Sequence, residues 1–118
     1  MNLQIVRIAD PGVPYNERLH LVAKRDLDLV YYCVFDTTRI GTRVEREATS
    51  TYWFSEKKVS AGDNVVLYTK SGVPSSIPNP EGGFTHFVFW GKSSTLWNGS
   101  NSCAVVVEIL SWETTPQI

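Results

Sequence analysis

The residues best suited to acid-base or nucleophilic chemistry are few. The chain has two histidines, His20 and His86, and neither lies in a recognised catalytic motif. Nucleophilic catalysis would need one of them as a base, next to a serine or cysteine and an orienting carboxylate. Strand alternation places His86 among the aromatic residues of the run 84–90, which favours a packed histidine held by a backbone hydrogen bond. The catalytic alternative is a small hydrolase in which His86 works with a carboxylate such as Asp63, under the loop 70–83.

The two cysteines, Cys33 and Cys103, lie on different predicted strands. They could form a disulfide that joins two sheets, or remain two buried thiols, and a reducing compartment favours the thiols. Neither cysteine has a second ligand residue at the short spacing that zinc sites use. The chain also has no glycine-rich nucleotide-binding or phosphate-loop pattern. We therefore expect neither a metal nor a cofactor.

Basic and aromatic residues suggest a binding surface. Three arginines occupy the connection 37–50 and could bind phosphate or carboxylate groups, although glutamates interleave with them. Aromatic residues make up 12% of the chain, and some stand in polar surroundings where they could stack on a ligand rather than fill the core. The candidate partner-binding residues are Arg39, Arg43, Arg46, Trp53 and Trp90.

Length and charge limit the class of protein. The 118 residues are 42% hydrophobic and 19% charged, which is typical of one compact domain over 1–118 and excludes a disordered chain or a coiled coil. A net charge of −1 gives no overall attraction to nucleic acid or anionic membranes. Arg7 and Asp10 interrupt the first apolar stretch, so we expect neither a signal peptide nor membrane insertion, and an intracellular location.

The elements that must position these residues are predicted to be strands. Short runs rich in β-branched and aromatic residues alternate with clusters of Gly, Pro, Asn and Asp, and no stretch keeps a helical period. Two long connections, 37–50 and 70–83, are predicted to be loops, where function tends to lie. The seven predicted strands are 3–8, 17–22, 29–35, 51–54, 64–69, 84–90 and 103–110.

Alternation along two strands also predicts which faces are buried. The run 29–35 is apolar on both faces, so we expect a central strand with the core on one side and a loop or a partner on the other. In the last strand Glu108 is taken as outward, which assigns the opposite side chains to the core. Those four core residues are Cys103, Val105, Val107 and Ile109.

The order of several segments resembles the lamin-tail domain, an immunoglobulin-like β-sandwich. The matching segments are 16–21 (NERLHL), 26–29 (DLDL), 52–54 (YWF), 59–69 (VSAGDNVVLYT) and 96–99 (LWNG), ahead of the last strand. The chain departs from the family at 30–31, where Val-Tyr replaces the usual Gly-Trp. The resemblance covers roughly residues 3–112. It implies a non-catalytic module that contacts proteins and, in some settings, DNA or membrane-associated partners.

These observations together predict an all-β protein, an immunoglobulin-like antiparallel β-sandwich of about seven strands. We expect a non-catalytic binding or assembly module that contacts a partner protein or a second copy of itself as a homodimer. Two alternatives stay open. One is the small hydrolase with its site under the loop 70–83. The other is a nucleic-acid-binding accessory domain that uses the arginine-rich connection, against which the near-zero net charge argues.

Overall fold

Strands account for nearly all regular structure in residues 1–117, which a computed structural model describes. A short 3-10 helix over Leu29–Tyr31 is the exception. The strands are β1 Leu3–Ala9, β2 Arg18–Ala23, β3 Leu27–Asp28, β4 Tyr32–Ile40, β5 Arg43–Val44, β6 Ser50–Trp53, β7 Lys58–Val59, β8 Asn64–Tyr68, β9 Ser75–Pro78, β10 Phe84–Phe89 and β11 Ser102–Glu108. Residues 1–117 contain no helix that is long and apolar enough to cross a membrane.

Two sheets pack face to face, which confirms the predicted all-β sandwich. The first sheet has the strand order β1-β2-β8-β10-β9, and in the second sheet β4 pairs with β11, β5 and β6. A separate small sheet joins β3 to β7. One detail differs from the prediction, because β8 and β10 run parallel rather than antiparallel. The connection 70–83 causes this, since it contains β9 and crosses over before the chain returns as β10.

The core lies between the two sheets. Leu19, Leu21, Val65 and Leu67 point into it from the first sheet, and alternate positions of β4 point into it from the second. Burying each large apolar side chain stabilises the fold by about 1.5–3 kcal/mol. The other buried apolar members are Leu3, Ala23, Leu29, Tyr32, Val34, Phe54, Val59 and Trp97.

The face assignment of the last strand was wrong. Ala104 and Val106 pack against the core, whereas Val105 and Val107 lie opposite Phe35 and Cys33 on the outer face of the second sheet. Cys103 likewise lies on that outer face, since it pairs with Thr37. Ile109 follows the last residue of β11 and is only partly buried.

The reason is the position of Glu108. It shares the inner face with Val106 but lies at the end of the sandwich, where it is exposed and accepts a hydrogen bond of 2.9 Å from the buried Tyr32 hydroxyl. A charged residue at a strand end is therefore a poor marker of the outward face. Both cysteines are free thiols, so the disulfide alternative is not realised, and burial raises the pKa of each thiol.

Tyr32 gives a prediction for alkaline solution. Burial and the hydrogen bond to Glu108 raise the pKa of Tyr32 to about 12, against 10.0 for a free phenol. The unfolded chain would ionise first, so the stability from the neutral phenol is complete below pH 10 and is lost as the pH rises toward 12. Burial also raises the pKa of Tyr52, so tyrosinate absorbance followed with pH should show a late phase. Tyr32→Phe should reduce the amplitude of that phase, and Tyr15→Phe, at an exposed site, should leave it unchanged.

A buried carboxylate, Glu17, joins three parts of the structure. It is 1% exposed at the entry to β2. Its two oxygens accept hydrogen bonds of 2.7 to 3.1 Å from four donors, two of them on each oxygen. The donors are the backbone N–H groups of Gly12, Leu96 and Trp97 and the hydroxyl of Thr69. Glu17 thus fastens the loops 10–17 and 92–97 to the end of the first sheet.

Candidate functional site

The first candidate site begins with a buried pair, Asp63 and His86. Asp63 ends a tight turn in which Gly62 adopts a φ of +92°, a conformation that favours glycine. The parallel pairing of β8 with β10 brings His86 next to it, with the ring atom Nε2 2.8 Å from Asp63 Oδ2. The side chains are 3% and 7% exposed. The structure therefore brings Asp63 and His86 into contact, which strand alternation alone does not predict.

Hydrogen bonds keep Asp63 ionised. Burial alone would raise the pKa of this carboxyl group, but hydrogen bonds from His86 and from the backbone N–H groups of Ser60 and Phe84 outweigh it and lower the pKa. An ionised carboxylate only accepts hydrogen bonds. The proton between the two side chains therefore belongs to His86, which donates from Nε2.

Ser76 completes a chain of three side chains. It lies on β9 opposite His86, and its Oγ is 2.7 Å from His86 Nδ1. In the neutral ring Nε2 carries the hydrogen, so Nδ1 has a free lone pair and accepts a hydrogen bond from the Ser76 hydroxyl. The expected backbone hydrogen bond to His86 is thus replaced by two side-chain partners. The arrangement is that of a hydroxyl held against a base, with a carboxylate behind it.

A cavity of about 340 Å³ opens beside this chain. His86 and Ser76 line it, together with Pro74 of the connection 70–83. Asp63 does not line the cavity and lies on the far side of the His86 ring. Most of the remaining wall is apolar and consists of Leu29, Tyr52, Phe54, Phe87 and Val88. Such a space suits a small apolar group whose reactive end lies near Ser76.

Sequence reasoning named His86 and Asp63 but missed Ser76. The segment 70–83 was predicted to be a loop because it contains three prolines, yet its residues Ser75–Pro78 pair with β10. Proline is tolerated there because β9 is an edge strand of the first sheet. The four residues SSIP show no polar-apolar alternation, so the sequence alone does not indicate a strand there.

The three candidate arginines do not form one patch. Arg39, Arg43 and Arg46 are all exposed. Arg39 pairs with Val44 and Ile40 pairs with Arg43 in the β4–β5 hairpin. Residues at successive paired positions point to opposite faces, so Arg39 and Arg43 lie on opposite sides of the hairpin.

The two candidate tryptophans also lie apart. Trp90 packs against the core and contacts the rings of Tyr52 and Trp97 at centroid distances of 5.7 and 6.1 Å. Trp53 follows Tyr52 along β6 and therefore points to the opposite, outer side of the second sheet. There it is 47% exposed and donates a 2.7 Å hydrogen bond from Nε1 to the carbonyl of Val30.

The outer face of the second sheet is the second candidate site. Its strand residues include Phe35, Val105 and Val107, and an aromatic cluster of Tyr31, Trp53 and Trp112 lies beside them. Trp112 contacts the Trp53 ring at 5.2 Å and the Tyr31 ring at 5.6 Å between centroids. The run 29–35 was predicted to have a loop or a partner over its outer side, and the segment after β11 provides part of that covering. Each ring of the cluster is still 44–47% exposed.

No known family model matches the chain, and no curated protein matches it significantly. Within residues 1–117, no group of three or more His, Cys, Asp and Glu side chains is arranged to hold a metal ion. The two candidate sites therefore have to be interpreted from their own geometry.

Proposed function

We propose that this protein is a binding module, and that it self-associates through the second sheet, by the free edge of β11 and the outer face beside it. The observation that carries the proposal is the half-exposed cluster of Tyr31, Trp53 and Trp112 beside an apolar strand face. Exposed apolar patches of this kind mark interaction surfaces, and tyrosine and tryptophan are enriched among the few residues that dominate binding energy at protein interfaces. The resemblance to lamin-tail domains, which contact proteins, supports the same conclusion.

A second copy is the partner that the strand arrangement favours. Strand β11 pairs only with β4 within residues 1–117, so its other edge has no hydrogen-bonded strand, although β1 passes near it. An antiparallel pair of β11 strands centred on Val105 would place Cys103 opposite Val107 and Ala104 opposite Val106 of the second copy. Every central contact would then be between small or apolar side chains, and the two outer faces would become continuous.

Charging the edge should prevent this association. We expect Val105→Lys to weaken the dimer by at least about tenfold, equal to about 1.4 kcal/mol, because a lysine on an edge strand opposes strand pairing. Val73→Lys is the matched control, since Val73 is 84% exposed on the connection 70–83. Sedimentation equilibrium over a wide concentration range measures both. A wild-type chain that remains monomeric at its highest soluble concentration would overturn the self-association.

A second experiment asks whether the same surface binds a different protein. Capture from cell lysate with the wild-type chain, Trp112→Ser and Val73→Ser would distinguish the cases, because only Trp112 belongs to the aromatic cluster. A partner lost with Trp112→Ser and kept with Val73→Ser would assign binding to the outer face but not to a second copy. The arginines give a nucleic-acid partner less support, because Arg39 and Arg43 point to opposite sides of their hairpin.

A further inference from the structure

We propose that Ser76 is a nucleophile toward carboxylic esters, with His86 as its base and the neighbouring cavity as the site for a short apolar acyl group. This activity is separate from the outer face. It uses residues of the first sheet, β8, β9 and β10, whereas the proposed interface belongs to the second sheet. The proposal rests on the two side-chain hydrogen bonds of His86 and on the position of the cavity.

The direction of the hydrogen bonds decides which atom is reactive. Asp63 is held by two backbone N–H groups and accepts from His86 Nε2, so it fixes the ring in one tautomer. The basic atom Nδ1 is thereby aimed at the Ser76 hydroxyl, 2.7 Å away. Asp63 is a positioning residue in this scheme, because it acts through His86 and lies outside the cavity.

The exposed position of Ser76 and the buried positions of Asp63 and His86 suit this reaction. Asp63 and His86 are buried, so their hydrogen bond is shielded from water, whereas Ser76 is exposed on an edge strand and can be reached by an ester. The apolar walls of the cavity, among them Phe54 and Val88, can hold an acyl chain. Glu56 and Lys57 also line the cavity, so its polar side carries one residue of each charge.

The reaction has two halves that balance. In the first, Ser76 Oγ bonds to the carbonyl carbon, its proton passes to His86 Nδ1, and the bond from the carbonyl carbon to the alcohol oxygen breaks. The alcohol leaves with the proton from His86, and an acyl-serine remains. In the second, a water molecule gives a proton to Nδ1 and its oxygen bonds to the acyl carbon. The bond from that carbon to Ser76 Oγ then breaks, Oγ takes the proton back from Nδ1, and the carboxylic acid is released. No oxidant or reductant is required.

A fluorophosphonate probe tests the nucleophile directly, because it forms a stable bond with activated serines. We expect one probe per folded chain by intact mass, located on Ser76 by peptide mapping. Ser76→Ala should abolish labelling. Ser71→Ala should label at the wild-type rate, because Ser71 is an exposed serine of the same connection 70–83 that does not line the cavity.

A conservative variant separates the base from the structural role of His86. His86→Gln can keep an N–H donor toward Asp63 but removes the basic Nδ1. We expect labelling and p-nitrophenyl butyrate hydrolysis to fall by about 10²–10⁴-fold, with the midpoint of thermal unfolding close to that of the wild-type chain. If His86→Gln unfolds, the comparison of Ser76→Ala with Ser71→Ala still decides, because both serines are exposed.

Three results would overturn the proposal. They are a folded wild-type chain that takes up no probe, a probe located on a serine other than Ser76, and labelling that His86→Gln leaves unchanged in a folded protein. Ester hydrolysis that survives Ser76→Ala would equally remove Ser76 as the nucleophile. None of these results depends on whether the chain forms a dimer.

Discussion

Replacing Glu17 with glutamine is expected to destabilise the protein by about 3–5 kcal/mol, a large share of a typical folding free energy. The carboxylate accepts four hydrogen bonds while almost fully buried. A glutamine amide has one accepting oxygen and an NH2 group that donates. The NH2 group would face N–H or O–H donors, so about half of the buried donors would lose their acceptor.

Chemical denaturation measures this cost, and Glu56→Gln provides the control. Glu56 is exposed in the connection between β6 and β7, so its replacement should change the unfolding free energy by about 0.5 kcal/mol or less. We also expect faster amide hydrogen exchange at Gly12, Leu96 and Trp97 in Glu17→Gln, because their N–H groups lose the shared acceptor. A loss below about 1 kcal/mol would show that water replaces the carboxylate at that site.

Replacing Asp63 with asparagine is the second change with a large expected effect, about 3 kcal/mol at neutral pH. Asp63 accepts from Ser60, Phe84 and His86, and asparagine cannot accept all three. The effect should also depend on pH. Because the folded pKa of Asp63 is lowered, its ionised form stabilises the fold above the ordinary value of 3.8, and that contribution is lost as the pH falls through the folded pKa.

The pH dependence of the unfolding free energy distinguishes the loss of an ionised Asp63 from a destabilisation that is the same at every pH. The unfolding free energy of the variant should fall less steeply below pH 4 than that of the wild-type chain. The pKa of Asp28 is also lowered, by hydrogen bonds from the backbone N–H groups of Val30 and Lys57 that outweigh its burial, so part of the acid dependence should remain. Nitrogen NMR of the His86 ring checks the tautomer, which we expect to be Nε2–H in the wild-type chain. Equal acid slopes in the two proteins would contradict an ionised Asp63.

The strands of both sheets follow from local sequence wherever apolar and polar residues alternate. The prediction for 17–22 is close to β2, because buried and partly buried residues alternate along that strand. The prediction for 64–69 is close to β8, where three consecutive apolar residues are buried and the turn before them marks the start of the strand. The strand predicted at 103–110 is present, but the prediction of which of its side chains face the core was wrong. Four consecutive apolar residues, Ala104 to Val107, have no internal pattern, so only the position of Glu108 relative to the end of the core could set the faces.

The candidate site was only partly predictable because its geometry depends on pairing between distant segments. His86 and Asp63 meet through the parallel pairing of β8 with β10, and no local pattern specifies that register. Ser76 meets His86 only because the proline-containing segment 75–78 is used as an edge strand. The sequence predicts Glu17 only as the first residue of the strand 17–22, because three of its four donors lie on loops that sequence periodicity does not place.

The parallel pairing of β8 with β10 also implies an order of assembly during folding. Strands β9 and β10 are neighbours joined by a short turn, so they can form a hairpin early, and this hairpin brings Ser76 to His86. We expect the pairing of β8 with β10 to form later, because it closes a longer connection at a higher cost in chain entropy. The hydroxyl would therefore meet its base before the base meets its carboxylate. The rate at which the Asp63–His86 contact forms then reports the pairing of β8 with β10. Fluorescence or hydrogen exchange during refolding measures that rate.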